Sequence, residues 1–177
     1  MPGLLPNVDP DGLLEYSVVF TDRSLNHMSQ RFQQVMRDIS DTLKKIYGAS
    51  RIAIVPGGGT YAMEAVARQF ATDQNVLVVR NGFFSFRWSQ ILDAGRIARS
   101  TTVLQASPID ARKFAAFAPA PLADVQQAIR RERASVVFAP HVETASGILL
   151  PDSYVLGLAE AVHDVGGMLV LDCISQC

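Results

Sequence analysis

The sequence has little cysteine, almost no excess charge and no apolar run of membrane-spanning length. Its two cysteines, Cys173 and Cys177, lack the second pair that would complete a zinc set, and we expect both to be reduced thiols. A net charge of -1 offers no basic surface for nucleic acid or acidic membranes. The first residues carry neither the basic segment nor the apolar run of a signal peptide. These absences predict a cytoplasmic protein that binds small ligands and has no nucleic-acid or membrane partner.

Short apolar runs alternate with helical patterns along the chain. A hydrophobic content of 49% in 177 residues favours a domain with a buried sheet. The runs lack apolar–polar alternation, which is typical of parallel strands covered on both faces. The predicted strands are 51–55, 75–80, 100–104, 135–139 and 168–171. The predicted fold is therefore α/β, a mostly parallel sheet with helices on both faces.

The N-terminal residues differ in composition from the rest. Pro2, Pro6 and Pro10 predict an extended arm over residues 1–22, and residues 23–177 are predicted to form the α/β domain. Apolar residues at steps of three and four predict a long amphipathic helix from Ser24 to Tyr47.

A glycine-rich turn connects the first predicted strand to a helix. The turn is Gly57-Gly58-Gly59-Thr60. Glycines let the backbone approach an anion, and a helix N-terminus offers unpaired N–H groups and the positive end of its dipole. We interpret the turn as a phosphate cradle, with Thr60 as a further hydroxyl donor. The spacing Gly57-x-Gly59-x-x-Ala62 also satisfies a loose dinucleotide fingerprint, and tight packing alone would explain such glycines.

Other polar and aromatic residues follow the remaining predicted strands. Phe84, Thr144 and Asp172 each lie at or just beyond a strand's carboxyl end. In open parallel sheets ligands bind outside these ends, so the three residues are expected to converge with the glycine turn on one site. From the residues alone, Phe84 also fits a core position and Thr144 a turn hydroxyl.

Four motifs follow one another along the chain. They are Gly57-Gly58-Gly59-Thr60-x-Ala62-Met63-Glu64-Ala65, Asn81-Gly82-Phe83-Phe84, His141-x-Glu143-Thr144-x-Ser146-Gly147 and Leu169-Val170-Leu171-Asp172. In this order they resemble the class V pyridoxal-phosphate aminotransferases, which include alanine–glyoxylate, serine–pyruvate and 2-aminoethylphosphonate transaminases. The similarity runs from about Pro2 to Asp172. It implies the large domain of a fold-type I pyridoxal-phosphate transferase, but only the front part of one.

The resemblance also implies roles for individual residues. It assigns the cofactor phosphate to Gly58, Gly59 and Thr60. Phe84 would stack on the pyridine ring, and Thr144 would lie beside the ring near its phenolic oxygen. Asp172 would pair with the ring nitrogen and keep it protonated, so that the ring accepts electrons when the amino acid loses its α-proton.

The sequence departs from the family pattern at the catalytic lysine. Relatives hold the cofactor as a Schiff base on a lysine that follows the aspartate, but Lys44, Lys45 and Lys113 all precede Asp172. We therefore expect that lysine, and the small C-terminal domain, beyond Cys177. Gly58 replaces a serine common in relatives, and Phe84 a tryptophan found in some. The given chain is interpreted as truncated and is expected to be inactive alone.

The resemblance implies a homodimer that moves an amino group from an alanine- or serine-type donor to a glyoxylate- or pyruvate-type acceptor. Cysteine desulfurases and related lyases share the fold and stay open. A second alternative is an NADP-type dinucleotide-binding module, for which Arg80 could favour a 2′-phosphate. A third is a non-catalytic remnant that binds partners through an incomplete sheet.

Overall fold

The computed structural model describes residue 27 and residues 30–174, which fall into two compact units. One unit ends at Val55 and the other begins at Pro56. The predicted arm over residues 1–22 lies outside the described residues, as does Cys177. The division into an arm and one domain therefore stays a prediction.

The first unit contains one long helix, α1 (Gln30–Tyr47). The prediction began at Ser24; among the described residues, His27 lies in a turn and the helix begins at Gln30. No residue of α1 is buried, although apolar residues repeat along it at helical spacing. The helix predicted from this repeat is confirmed over Gln30–Tyr47.

The apolar run at residues 51–55 does not form the predicted strand. These residues have no regular secondary structure, and Ile54 and Val55 are exposed. An apolar run becomes a strand only when a neighbour pairs its N–H and C=O groups, and none of the described sheets includes it. The prediction of strand, turn and helix was wrong in its first element.

The second unit contains four helices and eight strands among its described residues. The helices are α2 (Gly59–Phe70), α3 (Phe83–Gly95), α4 (Leu122–Glu132) and α5 (Asp152–Asp164). The strands are β1 (Asn75–Arg80), β2 (Ser100–Gln105), β3 (Ser107–Pro108), β4 (Phe117–Ala118), β5 (Val136–Pro140), β6 (Val142–Glu143), β7 (Ile148–Leu149) and β8 (Met168–Asp172).

A parallel sheet forms the centre of this unit, in the order β2-β1-β5-β8. The prediction of a parallel sheet is confirmed. The chain leaves β1 for β2 on one side and later returns to place β5 on the other side. The strand order thus reverses between β1 and β5, and the crevice at such a point is where ligands bind in these sheets.

Helices cover both faces of the sheet, as predicted. One core packs Leu77 and Val137 against residues of α4 and α5. On the other face, Val78 and Phe138 pack with residues of α2 and α3, and the Trp88 ring stacks on Phe138 with centroids 4.2 Å apart. Side chains alternate between the faces of a strand, so each buried strand serves both cores.

Two short hairpins extend the loops beyond the sheet. The connection between β2 and α4, which is rich in alanine and proline, contains the antiparallel pair β3 and β4. The segment after residue 140, which contains Thr144, is built on the antiparallel pair β6 and β7. This second hairpin fixes the backbone on either side of Thr144, whose own side chain is exposed.

Candidate functional site

The glycine turn leads directly into the N-terminus of α2. Gly57 has φ +131°, and a Cβ there would lie 2.6 Å from Cδ2 of Tyr61, so this position requires glycine. Gly58 is the N-cap in an extended conformation, and α2 begins at Gly59. A Cβ on Gly59 would approach Cδ1 of Ile174 to 3.2 Å. The N–H groups of Gly58 and Gly59 therefore lie on backbone that carries no side chain.

Thr60, in the first turn of α2, contacts a cation. The Arg87 Nη1 of α3 donates a hydrogen bond to Thr60 Oγ1 over 2.9 Å, and both residues are half-buried. The sequence analysis missed Arg87. Its spacing of three residues from Phe84 on the same helix was the available signal, since residues three apart share a helix face.

Phe84, the predicted ring-stacking residue, lies in the first turn of α3 and is 39% exposed. The Glu143 carboxylate fixes its backbone, because the Phe84 N–H donates to Oε1 over 3.1 Å. The Ser85 N–H and hydroxyl donate to Oε2 over 2.8 and 2.6 Å. A carboxylate at a helix N-terminus also interacts favourably with the helix dipole.

Glu143 is fully buried and directly precedes Thr144, so it connects the β6–β7 hairpin to the start of α3. Sequence analysis quoted it only as part of a motif and gave it no role. The available signal was a lone acidic residue immediately after an apolar strand and before a turn. Gly82 packs closely against this side chain, because a Cβ on Gly82 would lie 2.7 Å from Glu143 Cγ.

Asp172, the predicted partner of the ring nitrogen, ends β8 and is half-buried. Its Oδ1 accepts a hydrogen bond of 3.3 Å from the N–H of Ile174. The neighbouring Cys173 is a free thiol. Burial raises the pKa of this thiol, and the charge of Asp172 raises it further.

One cavity of about 530 Å³ brings these elements together. Its lining includes all the predicted cofactor residues except Gly58, namely Gly59, Thr60, Phe84, Thr144 and Asp172. Arg87 and Trp88 of α3 also line it. Cavities of this size hold cofactors and drug-sized ligands.

The polar groups of the cavity are suited to a ligand with two charges of opposite sign. Arg87 is the cation of the lining and Asp172 its carboxylate. These two side chains are the charged groups that a ligand in the cavity could meet.

Neither a metal site nor a membrane span adds to this picture. Across residue 27 and residues 30–174, no cluster of three His, Cys, Asp or Glu residues is placed to hold a metal ion. No helix in the same part of the chain combines the length and apolar character needed to cross a bilayer.

Comparisons with known proteins bear on the same residues. The family model for class V aminotransferases matches residues 13–177. A search of curated proteins gave no match. An alanine–glyoxylate aminotransferase from Nostoc sp. superposes with a TM-score of 0.68 at 23% identity, over 86% of this chain and 38% of that one.

Two further solved structures share the fold. A pyridoxamine–pyruvate aminotransferase from Mesorhizobium loti has a TM-score of 0.69 at 18% identity, over 87% of this chain and 37% of that one. A cysteine desulfurase from Thermococcus onnurineus NA1 has a TM-score of 0.57 at 17% identity, over 85% of this chain and 36% of that one. The chain thus spans less than two fifths of the length of these three structures. At such identities the structures establish the fold, and the family model matches most of the sequence: the chain belongs to the class V aminotransferase family.

Proposed function

We propose that this chain supplies the pyridoxal-phosphate site of a transaminase. The amino donor is of the alanine or serine type, and the acceptor is a small 2-oxo acid such as glyoxylate or pyruvate. The observation that carries the proposal is the common cavity, to which α2, α3, the β6–β7 hairpin and β8 each contribute a predicted cofactor residue. Family membership and the similarity to an alanine–glyoxylate aminotransferase support the same reaction.

The residues around the cavity fit the chemistry of pyridoxal phosphate. A helix N-terminus beside a half-buried arginine suits a phosphate, and a half-buried carboxylate suits a protonated ring nitrogen. A Cβ at Gly59 would fill space at the cavity wall. The side chain of Phe84 offers an apolar ring face to the same cavity.

In the proposed mechanism, each residue performs one physical task. The backbone of Gly58 and Gly59 and the Thr60 hydroxyl bind the phosphate and so orient the cofactor. Phe84 stacks on the ring, and Thr144 lies beside it. Asp172 holds a proton at the ring nitrogen through a charge-assisted hydrogen bond. The cofactor itself supplies an electron-accepting ring when the amino acid loses its α-proton.

Binding of pyridoxamine 5′-phosphate tests the site directly. This ligand has no aldehyde, so it forms no imine with Lys44, Lys45 or Lys113. We expect saturable binding by fluorescence titration, weakened about tenfold or more by Asp172→Asn because a charged acceptor becomes neutral. The matched control Asp93→Asn changes an exposed carboxylate of α3 and should leave the affinity unaltered.

An absence of pyridoxamine phosphate binding would contradict the proposal. Binding of NADPH instead would favour the dinucleotide alternative. Equal affinity in wild type and Asp172→Asn would remove Asp172 from the proposed ring contact, even if the ligand binds.

We further propose that residues 1–177 alone do not transaminate. Lys44 and Lys45 lie on α1, Lys113 lies between β3 and β4, and all three precede Asp172 in sequence. The proton transfer expected of the family lysine then has no candidate after Asp172 in these residues. The test supplies alanine, glyoxylate and pyridoxal phosphate and measures pyruvate. Pyruvate formation would contradict the proposal. Sulfide release in a parallel assay with cysteine in place of alanine would favour the lyase alternative.

We also propose a homodimer. Exposed aromatic side chains, including Tyr61 at 66% and Phe83 at 61% exposure, support an interface on the second unit. Sedimentation velocity at increasing protein concentration should give a dimer. A monomer at every concentration would overturn this part of the proposal.

A further inference from the structure

Arg87 is a half-buried cation without an anionic partner among the residues that the structure describes. It lies on α3 and lines the cavity. Its Nη1 donates a hydrogen bond to Thr60 Oγ1. The ion pairs in the described part of the chain involve Lys44 or other arginines. A partly desolvated charge without a counter-ion is costly, which favours an anion beside it.

No carboxylate of the described residues forms an ion pair with this guanidinium, including Asp172 in the same cavity. Glu64 of α2 lines the surface groove that Arg87 also borders, but its Oε1 is held by Arg68. The Arg68 Nη2 and Nε lie 2.7 and 2.8 Å from that oxygen. Glu64 is thus paired, and the guanidinium of Arg87 stays available to a ligand.

The contact with Arg87 also decides which way the Thr60 hydroxyl points its hydrogen. A threonine hydroxyl has one O–H donor and two acceptor lone pairs. Because Arg87 donates to Oγ1, one lone pair is occupied and the O–H hydrogen remains free to donate. An anion at the N-terminus of α2 would accept a hydrogen bond from this O–H group and further ones from backbone N–H groups.

We propose that Arg87 provides the positive charge of the phosphate end of the cavity and positions the Thr60 hydroxyl as a phosphate donor. The inference rests on the proposed function and deepens it. It predicts that Arg87 discriminates phosphorylated from unphosphorylated forms of the cofactor. A purely structural link between α2 and α3 would not make this distinction.

The experiment compares pyridoxamine 5′-phosphate with pyridoxamine, which lacks only the phosphate. Affinities are measured for the wild type, Arg87→Met, Arg87→Lys and the control Arg99→Met. We expect Arg87→Met to lower the affinity for pyridoxamine phosphate by about tenfold to a hundredfold. Pyridoxamine affinity should change by less than about twofold, since no charged hydrogen bond to it is lost. Arg99→Met changes an exposed arginine outside the cavity lining and should change neither affinity.

Two further measurements identify how Arg87 acts. Arg87→Lys keeps the charge but loses the planar fork, so its affinity ratio should lie between those of wild type and Arg87→Met. In a Thr60→Val background the effect of Arg87→Met should shrink, because part of it passes through the hydroxyl. Added salt should weaken pyridoxamine phosphate binding more in the wild type than in Arg87→Met.

Several results would overturn the inference. An equal loss of both ligands in a folded Arg87→Met protein would make Arg87 a structural link only. An unchanged ratio of affinities would have the same meaning. Urea unfolding verifies the fold of each variant, and if Arg87→Met does not fold, an Arg87→Lys ratio equal to the wild-type ratio contradicts the inference. A wild type that binds neither ligand would instead refute the proposed function.

Discussion

Replacing Glu143 by glutamine tests whether one buried carboxylate holds two parts of the candidate site together. Glu143 is fully buried, and each of its oxygens accepts hydrogen bonds from the start of α3. Glutamine has almost the same shape but presents an NH₂ group in place of one oxygen. Whichever way the amide turns, that group faces N–H or O–H donors.

The expected cost follows from these contacts. A hydrogen bond to a charged group contributes about 1.5–3 kcal/mol, and an unpaired buried donor costs about 1–3 kcal/mol. If the amide faces the Oε2 side, the Ser85 N–H is left unpaired, because its 2.8 Å bond ends there. We therefore expect Glu143→Gln to lower the free energy of unfolding by about 2–4 kcal/mol.

Urea unfolding followed by tryptophan fluorescence measures this change. Trp88 is the only tryptophan of the chain, is buried, and lies on α3 itself. With a urea m-value of about 2 kcal/mol per molar, the midpoint should fall by about 1–2 M. The control Glu160→Gln changes an exposed residue of α5 and should stay within about 0.5 kcal/mol of wild type. A similarly small change for Glu143→Gln would refute the reasoning.

Three further predictions concern the backbone, pH and the thiol. Gly57→Ala should lower the free energy of unfolding by more than about 1 kcal/mol, because Gly57 has a positive φ and a Cβ there would clash with the Tyr61 ring. Gly58→Ala is the control and should have little effect. Equal urea midpoints for the two variants would contradict this prediction. Burial raises the pKa of Tyr154 to about 12. The phenol of the unfolded chain therefore loses its proton at a lower pH than that of the folded chain, and the free energy of unfolding should fall as pH rises from about 10 towards 12. Tyr154→Phe should reduce that fall in urea midpoints, and an identical pH profile would argue against it. Asp172→Asn should lower the pKa of Cys173 and speed its alkylation at neutral pH, measured by peptide mass mapping; an unchanged rate would contradict the charge effect.

The sheet and the position of the site followed from local sequence. Buried runs such as 75–80 and 135–139 predicted strands close to β1 and β5. Parallel strands bring their carboxyl ends to one edge, so Phe84, Thr144 and Asp172 were expected together, and all three line the cavity. The geometry of parallel sheets was therefore sufficient to predict that these three residues lie at one site.

Other features depend on partners distant in sequence. Glu143 and Phe84 are separated by 59 residues, and Arg87 and Thr60 by 27. No periodicity encodes such side-chain contacts, so the buried carboxylate and the unpaired cation became visible only in three dimensions. Residues 51–55 show the reverse case, in which strong β propensity was not sufficient because no described strand pairs with them.

The most direct measurement is a crystal structure of the protein with bound pyridoxamine 5′-phosphate. We expect the phosphate at the N-terminus of α2, within hydrogen-bond distance of Thr60 and Arg87, and the ring nitrogen beside Asp172. The Phe84 ring should lie parallel to the pyridine ring. A ligand outside the cavity, or one with its phosphate at Asp172, would contradict the assignment of this cavity as the cofactor site.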